Sequence, residues 1–436
     1  MLIEFKVANY RSFREQQTLS FVASNADKGV LPENLIDLSL PGMSGLSYLK
    51  SVVLFGPNAS GKTNLLQALW HLIEFVARST PDRSSEDSTF AEPFKLSSEY
   101  VRKPSVFELT FVADGIRYLL GLSLTKKRII EEYLVAYPKG LPQKWYHRRW
   151  NEANHEYEWE FKSSAFKKGR APIEKLTRHN ATFISTGSLF EHKQLNSIFR
   201  WFDYNIAYTE MGDEPIDAMA INRLIGEKNE LTGKKYPPPL NKDDILPFLQ
   251  AADLGITDFQ VDKKMVRKDN PNKYEPVVMV MDENTGDFLG YQQHFLSFTH
   301  KATEKGIIFK PAEESKGTLS YFSLLGLCLS SIKSSQLVLV DELDARLHPQ
   351  LSQAVIRRFN KQSTTSQLVF TTHNPFLLDS GVMRRDQVWF TEKDKSGASK
   401  IFPLTDFSPR KDEARVKAYL SGRYGAVPFL DEVLTK

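Results

Sequence analysis

The chain has almost no cysteine, and the single Cys328 excludes an intramolecular disulfide framework or a cysteine-cluster zinc site. Such sparing use fits a reducing compartment. There is also no run of about 18 consecutive apolar residues, so the sequence offers no membrane-spanning helix and no membrane partner is expected. The opening Met1-Leu2-Ile3-Glu4-Phe5-Lys6 lacks the basic-then-apolar order of a secretory leader, and a cytoplasmic location is expected. Internal repeats, low-complexity tracts and sustained heptads are missing as well. Nor does one sign of charge dominate: Lys+Arg 57 against Asp+Glu 53 gives +4. Whole-chain charge therefore neither demands nor excludes nucleic acid, and only local clusters can argue for it.

What is present is ordinary globular material, 436 residues with 41% hydrophobic and 25% charged, enough for two or three lobes. One stretch stands out. The apolar run Ser51-Val52-Val53-Leu54-Phe55 leads into Gly56-Pro57-Asn58-Ala59-Ser60-Gly61-Lys62-Thr63, which fits G-x-x-x-x-G-K-[ST] between a strand and a helix. Glycines let the backbone curl around a phosphate, inward N–H groups bind it, and the helix dipole adds positive potential. Lys62 is expected to reach the β- and γ-phosphates, and Thr63 to ligate magnesium. Leu65, Leu69, Leu72 and Val76 give the following helix one apolar face.

Before that loop, Ile3, Phe5 and Val7 alternate as in a half-buried strand, and 18–22 reads as another. Between them the turn Asn9-Tyr10-Arg11-Ser12-Phe13-Arg14 offers Arg11 to a phosphate or to solvent. Residues 25–48 read as a loop. From Val106 to Tyr157 the pattern is an antiparallel sheet, with Asp114-Gly115 as a hairpin turn. From about 165 to 256 helical spacing takes over, in Leu189–Phe202, Ile216–Ile225 and Lys242–Leu254, interrupted by Pro237-Pro238-Pro239. Strands return from Phe259 to Phe298, with a turn at Asn284-Thr285-Gly286. Basic clusters occur at 126–128, Arg148-Arg149, 167–170, Lys263-Lys264 and Arg267-Lys268; beside Trp145, Tyr146 and Trp150 they suggest a nucleic-acid surface as the alternative to a solvated face.

A second set of residues completes the nucleotide pattern. Gln336-Leu337-Val338-Leu339-Val340-Asp341-Glu342 is an apolar strand ending in two acids, and ligands of parallel sheets bind at that end. Asp341 is expected to hold magnesium and Glu342 to orient and deprotonate the attacking water; as isolated residues the two acids would read as helix caps. The next strand, Gln367 to Thr372, ends in His373, placed to donate to the γ-phosphate or the attacking water. Upstream, Ser315 and Gly317 open a helix and form a second anion nest, or else an ordinary cap. With one phosphate tail already cradled at 56–63, this nest points to the nucleotide of another subunit.

The order of phosphate loop, S-x-G signature, Asp-Glu strand, the run Leu343-Asp344-Ala345 with Leu347-His348-Pro349, and Thr371-Thr372-His373-Asn374-Pro375 resembles the ATP-binding-cassette heads of the SMC, RecF and OLD-nuclease group. More closely it resembles bacterial AAA-domain ATPases of the abortive-infection type, including those encoded beside RloB-like proteins and the ATPase of the PARIS phage-defence system. The tail Tyr419-Leu420-Ser421-Gly422-Arg423-Tyr424-Gly425 and the turn at 9–13 share in the likeness, which is good at both ends of the chain and loose in the middle.

That resemblance implies an α/β P-loop head of the ABC type with an N-terminal antiparallel β-subdomain and an inserted, mainly helical subdomain. The expected boundaries are 1–165, 166–257 and 258–436. It implies ATP and Mg2+ as ligands and a homodimer or higher oligomer that closes around ATP. In it Ser315 and Gly317 act across the interface, and Asp344 communicates between sites. The implied function is ATP hydrolysis controlling a separate effector, a nuclease or toxin, in anti-phage defence. No Toprim-like nuclease domain fits after His373. The alternatives are a RecF-like repair ATPase gripping DNA and a scaffold that binds ATP without turnover.

Overall fold

The structure is a computed structural model, and it describes residues 1–162, 166, 169–204, 206–211, 240–266, 277–281, 288–302, 306–410 and 413–428. The expected helix Ile216–Ile225, the run Pro237-Pro238-Pro239, the turn Asn284-Thr285-Gly286, and the basic pairs Lys167-Lys168 and Arg267-Lys268 lie outside the described residues. The chain forms two compact units. The first is Met1–Tyr208 with Leu339–Asp341 and Gln367–Lys436; the second is Thr209–Val338 with Glu342–Ser366.

In chain order, the first unit begins with β1 (Leu2–Ala8), β2 (Gln17–Ser20), β3 (Leu35–Ile36), β4 (Tyr48–Leu49), β5 (Ser51–Phe55) and α1 (Lys62–Arg78). β6 (Ser105–Ala113), β7 (Ile116–Leu124), β8 (Ile129–Tyr137), β9 (Gln143–Asn151) and β10 (Glu156–Glu160) form the antiparallel meander expected from the alternation. Asp114 at φ 47 and Gly115 at φ 74 make its first turn, the pair of left-handed residues that matches strand twist. With β1 and β2 they complete a seven-stranded sheet in the order β10-β9-β8-β7-β6-β1-β2. Next come α2 (Arg170–Leu176), α3 (Phe183–Leu189), α4 (Lys193–Tyr204) and β11 (Ile206–Glu210).

The second unit holds α5 (Lys242–Ala251), β12 (Ile256–Val266), β13 (Val277–Met281), β14 (Phe288–His300), β15 (Ile307–Phe309), α6 (Lys316–Ser334), the start of β16 (Leu337–Asp341) and α7 (Pro349–Gln362). β12 and β13 both pair antiparallel with β14. Phe322 of α6 packs edge-on against Phe259 of β12 and Phe298 of β14, ring centroids 5.3 Å apart in each case. Phe322 is buried by that contact, Leu319, Leu325 and Leu329 of the same helix are buried too, and each buried side chain of this size contributes about 1.5–3 kcal/mol. The chain then returns to the first unit with β17 (Gln367–Thr371), β18 (Val388–Lys393), β19 (Ser399–Pro403) and α8 (Arg415–Leu420).

A six-stranded sheet in the order β11-β16-β17-β5-β18-β19 carries the nucleotide motifs, and β5 lies parallel to both β17 and β18. Every residue of β5 and β17 is buried, as the apolar runs require of strands covered on both faces.

Three local readings change. Leu189–Phe202 is not one helix: α3 stops at Leu189 and α4 starts at Lys193, with Glu191 at φ 51 between them. Residues 25–48 are more than a loop, because β3 pairs with β4 and Ile36, Leu40 and Tyr48 pack with Ile3 and Val112. The aromatic-basic surface at 145–150 does not form. Trp145, Tyr146 and Arg148 are buried, and Arg128 covers Trp150 at 3.7 Å from the ring centre. Tyr146 and Arg148 share the covered face by alternation, and a register shift of the β8–β9 ladder beside Tyr146 brings Trp145 against Phe166 with it.

Arg148 instead meets Glu132 at 3.1 Å, neither side chain exposed. Glu132 also accepts from the Tyr146 hydroxyl at 2.8 Å and from the Phe183 N–H at 3.0 Å, the first residue of α3. Arg148 donates on to the carbonyl of Ala181 at 2.6 Å, while Arg178 donates to the carbonyls of Ser79 at 2.8 Å and Arg83 at 2.7 Å. Carbonyls just past the end of α1 are thus tied to the antiparallel sheet. No helix among the described residues is long and apolar enough to cross a membrane.

Candidate functional site

The loop 56–61 leaves the carboxyl end of β5 and turns directly into α1. Two of its glycines are fixed by crowding. A Cβ on Gly56 would collide with Thr391, and one on Gly61 with Ser399, so only glycine lets the backbone pass these neighbours. Ala59 takes the left-handed conformation at φ 62 and is exposed beside Asn58. Pro57 is half-buried and Ser60 buried; the Ser60 hydroxyl meets Thr391 Oγ1 at 2.5 Å, and Ser399 donates to the Ser60 carbonyl at 2.6 Å. The loop is therefore held from outside by β18 and β19. Lys62, 6% exposed, turns its Nζ back to the carbonyls of Gly56 at 2.8 Å and Pro57 at 3.1 Å.

Thr63, in the first turn of α1, donates to Asp341 Oδ2 at 2.6 Å. Asp341 ends β16, is 2% exposed, and accepts a second hydroxyl, Thr371 at the end of β17, on Oδ1 at 2.5 Å. The structure thus brings the phosphate-loop threonine and the strand-end aspartate together. A carboxylate and a hydroxyl within hydrogen-bond distance are the hard oxygen donors that suit magnesium. Among the described residues no group of three or more His, Cys, Asp and Glu forms a metal-holding cluster, so a transition-metal centre of that kind is not what these residues build.

His373 is exposed two residues past β17, at the same carboxyl edge of the sheet as Gly56, because Thr371 and Leu54 are partners in the parallel β17–β5 ladder. Thr372 N–H extends that ladder to the Leu54 carbonyl at 3.2 Å.

Arg11 goes elsewhere. Its guanidinium engages Glu92, with Nη2 to Oε1 at 2.9 Å, and also Gln67 of α1. The hydrogen bond from Arg11 holds the Glu92 carboxyl below the ordinary carboxylate value. It is the neighbouring Ser12 that comes close to the loop, where a Cβ on Gly61 would stand 3.0 Å from its Oγ. Its Oγ accepts from Asn64 at 2.8 Å and its carbonyl accepts from Ser399 N–H at 2.7 Å. Arg11, Ser12 and Asn64 share a cavity of about 250 Å³ with Glu92, Lys95 and Lys393.

The remaining residues belong to the second unit. Ser315 caps α6, its Oγ accepting from Thr318 N–H at 3.0 Å, which is the capped-helix alternative realised at the nest. A Cβ on Gly317 would stand 2.9 Å from the Arg346 carbonyl, so this glycine admits the loop that carries Asp344. Asp344 is half-buried and its carbonyl accepts from Leu347 N–H at 3.0 Å. Glu342 is exposed and left-handed at φ 53, a conformation uncommon for a residue with a Cβ and one that turns the chain sharply after β16. Thr371, Thr391, Ser399, Ser12 and Asn64 went unread in the sequence; only Thr371, at a strand end before His373, carried a signal.

A family model described as "AAA domain, putative AbiEii toxin, Type IV TA system" matches residues 51–379. No curated protein sequence matches the chain significantly. Among solved structures, the chain is similar to an SMC head bound to the C-winged helix domain of ScpA, at 12% identity and a TM-score of 0.43, covering 92% of this chain and 97% of that one. It is also similar to the SMC head domain from Thermotoga maritima, at 13% identity and a TM-score of 0.38, covering 92% and 98%. The matched stretch runs from β5 through the phosphate loop, Asp341 and His373, and the chain accordingly belongs to this AAA-domain family of P-loop ATPases.

Proposed function

We propose that the chain binds and hydrolyses ATP, closes as a dimer around it, and uses that closure to control a separate effector. The observation that supports this most is the pair of hydroxyls on Asp341, Thr63 from the phosphate-loop helix and Thr371 from the adjoining strand. A carboxylate so held has both oxygens oriented before any ligand arrives, and electrostatic preorganisation is a large term in phosphoryl transfer.

In this reading the loop N–H groups of 56–61 take the phosphate oxygens. Lys62 exchanges two neutral carbonyls for anionic oxygen, a stronger partner for an ammonium. Thr63 and Asp341 are the residues that would hold Mg2+, which would supply charge neutralisation on the phosphates. Glu342 accepts the proton of the attacking water, His373 steadies that water or the γ-phosphate, the water oxygen bonds to the γ-phosphorus as the bond to the β–γ bridging oxygen breaks, and ADP and phosphate depart. Ser315 keeps its capping bond while the first-turn N–H groups beside Gly317 are offered to the nucleotide of a second protomer, and Asp344 links the two sites. The effector is read as a nuclease or toxin acting in anti-phage defence within the cytoplasm, consistent with the family description. A DNA-gripping role draws less support, since Arg148, Trp145 and Tyr146 are buried and Arg149 is paired with Glu131.

The test is the solution mass and turnover of Lys62→Ala and Glu342→Gln. Lys62→Ala should lose ATP binding; Glu342→Gln should keep ATP, stop hydrolysis and gain mass with ATP and magnesium. Turnover at the parent rate in Glu342→Gln would remove Glu342 as the base.

A further inference from the structure

Within the second unit, α5, α6 and α7 enclose a cleft of about 230 Å³. Its floor is apolar: Phe248 from α5, with Tyr321 and Leu325 one turn apart on α6. Tyr321 is 3% exposed and brings its phenolic hydroxyl to the lining. The rim is basic. Arg357, Arg358 and Lys361 of α7 line it, and among the described residues no acid does. Arg358 lies over the Phe248 ring at 5.0 Å, with its Nε buried and without an acceptor.

None of these three cations forms an ion pair among the described residues, whereas Lys144, Arg149 and Lys333 each meet a carboxylate. Like charges at Arg357 and Lys361, four residues apart on one helix face, oppose the helix rather than support it. Three cations without an ion pair among the described residues, a tyrosine hydroxyl and an apolar floor together describe the complement of their occupant. It carries negative charge and hydrogen-bond acceptors at the rim and a large apolar side chain at the centre. Nucleic acid would satisfy the cations and leave the floor wet, so the floor favours a peptide.

We propose that this cleft is the docking site for an acidic amphipathic segment of a partner protein, anchored by a large apolar side chain between α6 and α7. The occupant grips the helix that starts at Ser315 and Gly317 and the helix that follows the loop from Glu342 to Leu347. The site thereby names a surface for the effector reading above; it rests on that reading for the partner's role alone, since docking itself needs no nucleotide.

The test is selection of a phage-displayed random peptide library on the full chain in nucleotide-free buffer, followed by synthesis of the enriched peptides. Enrichment of sequences that pair Asp or Glu with Leu, Phe or Trp at helical spacing is expected. Their affinity should fall at least about tenfold with Arg357→Glu/Lys361→Glu, as loss of close charge complementarity requires, and weaken with added salt. Ala354→Trp, at an exposed position on the cleft wall, should block binding, and Tyr321→Phe should weaken it; unchanged melting temperatures would show that each variant folds. Peptides without acidic residues, peptides indifferent to all three variants, or no enrichment would overturn the proposal. Labelled duplex DNA that binds the parent and is lost in Arg357→Glu/Lys361→Glu, with no such peptide enriched, would replace it with a nucleic-acid surface. ATP hydrolysis is absent from this assay, so failure of the ATPase reading and failure of the docking site give separate results.

Discussion

The Gly317 α-carbon faces the Arg346 carbonyl so closely that a Cβ there would stand 2.9 Å from the oxygen. The start of α6 and the loop carrying Asp344 are therefore packed backbone to backbone, which leaves neither a side chain to move aside. Gly317→Ala should push that loop away. On the proposed reading that Asp344 links two nucleotide sites, ATP binding should stay within about twofold, while turnover should fall at least about tenfold, because small displacements near the chemistry are expensive. Nucleotide affinity and steady-state hydrolysis measured on one preparation check this, and unchanged turnover would separate the loop from catalysis.

Thr371 supplies the second hydroxyl on Asp341. In Thr371→Val the shape is kept and the donor lost, so Asp341 keeps Thr63 but loses the hydroxyl that fixes its Oδ1. The magnesium concentration for half-maximal turnover should rise about 10- to 100-fold, the usual effect of removing a partner that orients a metal ligand. Thr371→Ser should restore it. A magnesium titration distinguishes the two variants.

Glu132 and Arg148 form an ion pair with no solvent exposure at either side chain. Burial pushes the Glu132 carboxyl up against the pull of Arg148. Glu132→Ala leaves a buried guanidinium without its counter-charge and should cost about 3–5 kcal/mol. Replacing both residues with apolar ones should cost less than the single change. Chemical denaturation of the single and double variants gives the comparison.

His71 sits beside Tyr10, whose hydroxyl is 2.8 Å from its Nδ1, and burial, then Arg11, lowers its pKa from the ordinary 6.5. The folded state thus binds fewer protons than the unfolded state just below pH 6.5. Stability should be fully present above that value and decline as pH falls through it towards the lowered pKa. His71→Gln should flatten this part of the profile; melting temperatures at stepped pH values between 5 and 7.5 would show it or not.

Legibility in the sequence followed distance along the chain. The loop 56–63, the Asp114-Gly115 turn and the buried strand ending at Asp341 are local patterns, each fixed by spacing within a few residues, and the structure has a loop, a turn and a strand at those places. Thr391 and Ser399 reach the phosphate loop from far away, and a lone hydroxyl on a strand carries no mark of where the strand will pair. The same reason hid the β3–β4 ladder: two residues on each side are too few for a period, and the burial of Ile36 and Tyr48 decides them. Arg11 was legible as a cation at a turn; that it would meet Glu92 was set by the packing of a segment 81 residues away.

The hydroxyls that steady the phosphate loop come from positions 331 and 339 residues further along than Ser60. At a synthesis rate of about 5–20 residues per second, the ribosome takes tens of seconds to deliver them after the loop itself has emerged. During that interval the nascent chain holds the glycines, Lys62 and Thr63 but lacks the outer wall that shapes them. The outer wall of the loop therefore exists only once β18 and β19 have been made, and a prematurely terminated product that stops short of β18 carries the whole motif without the hydroxyls that hold Ser60.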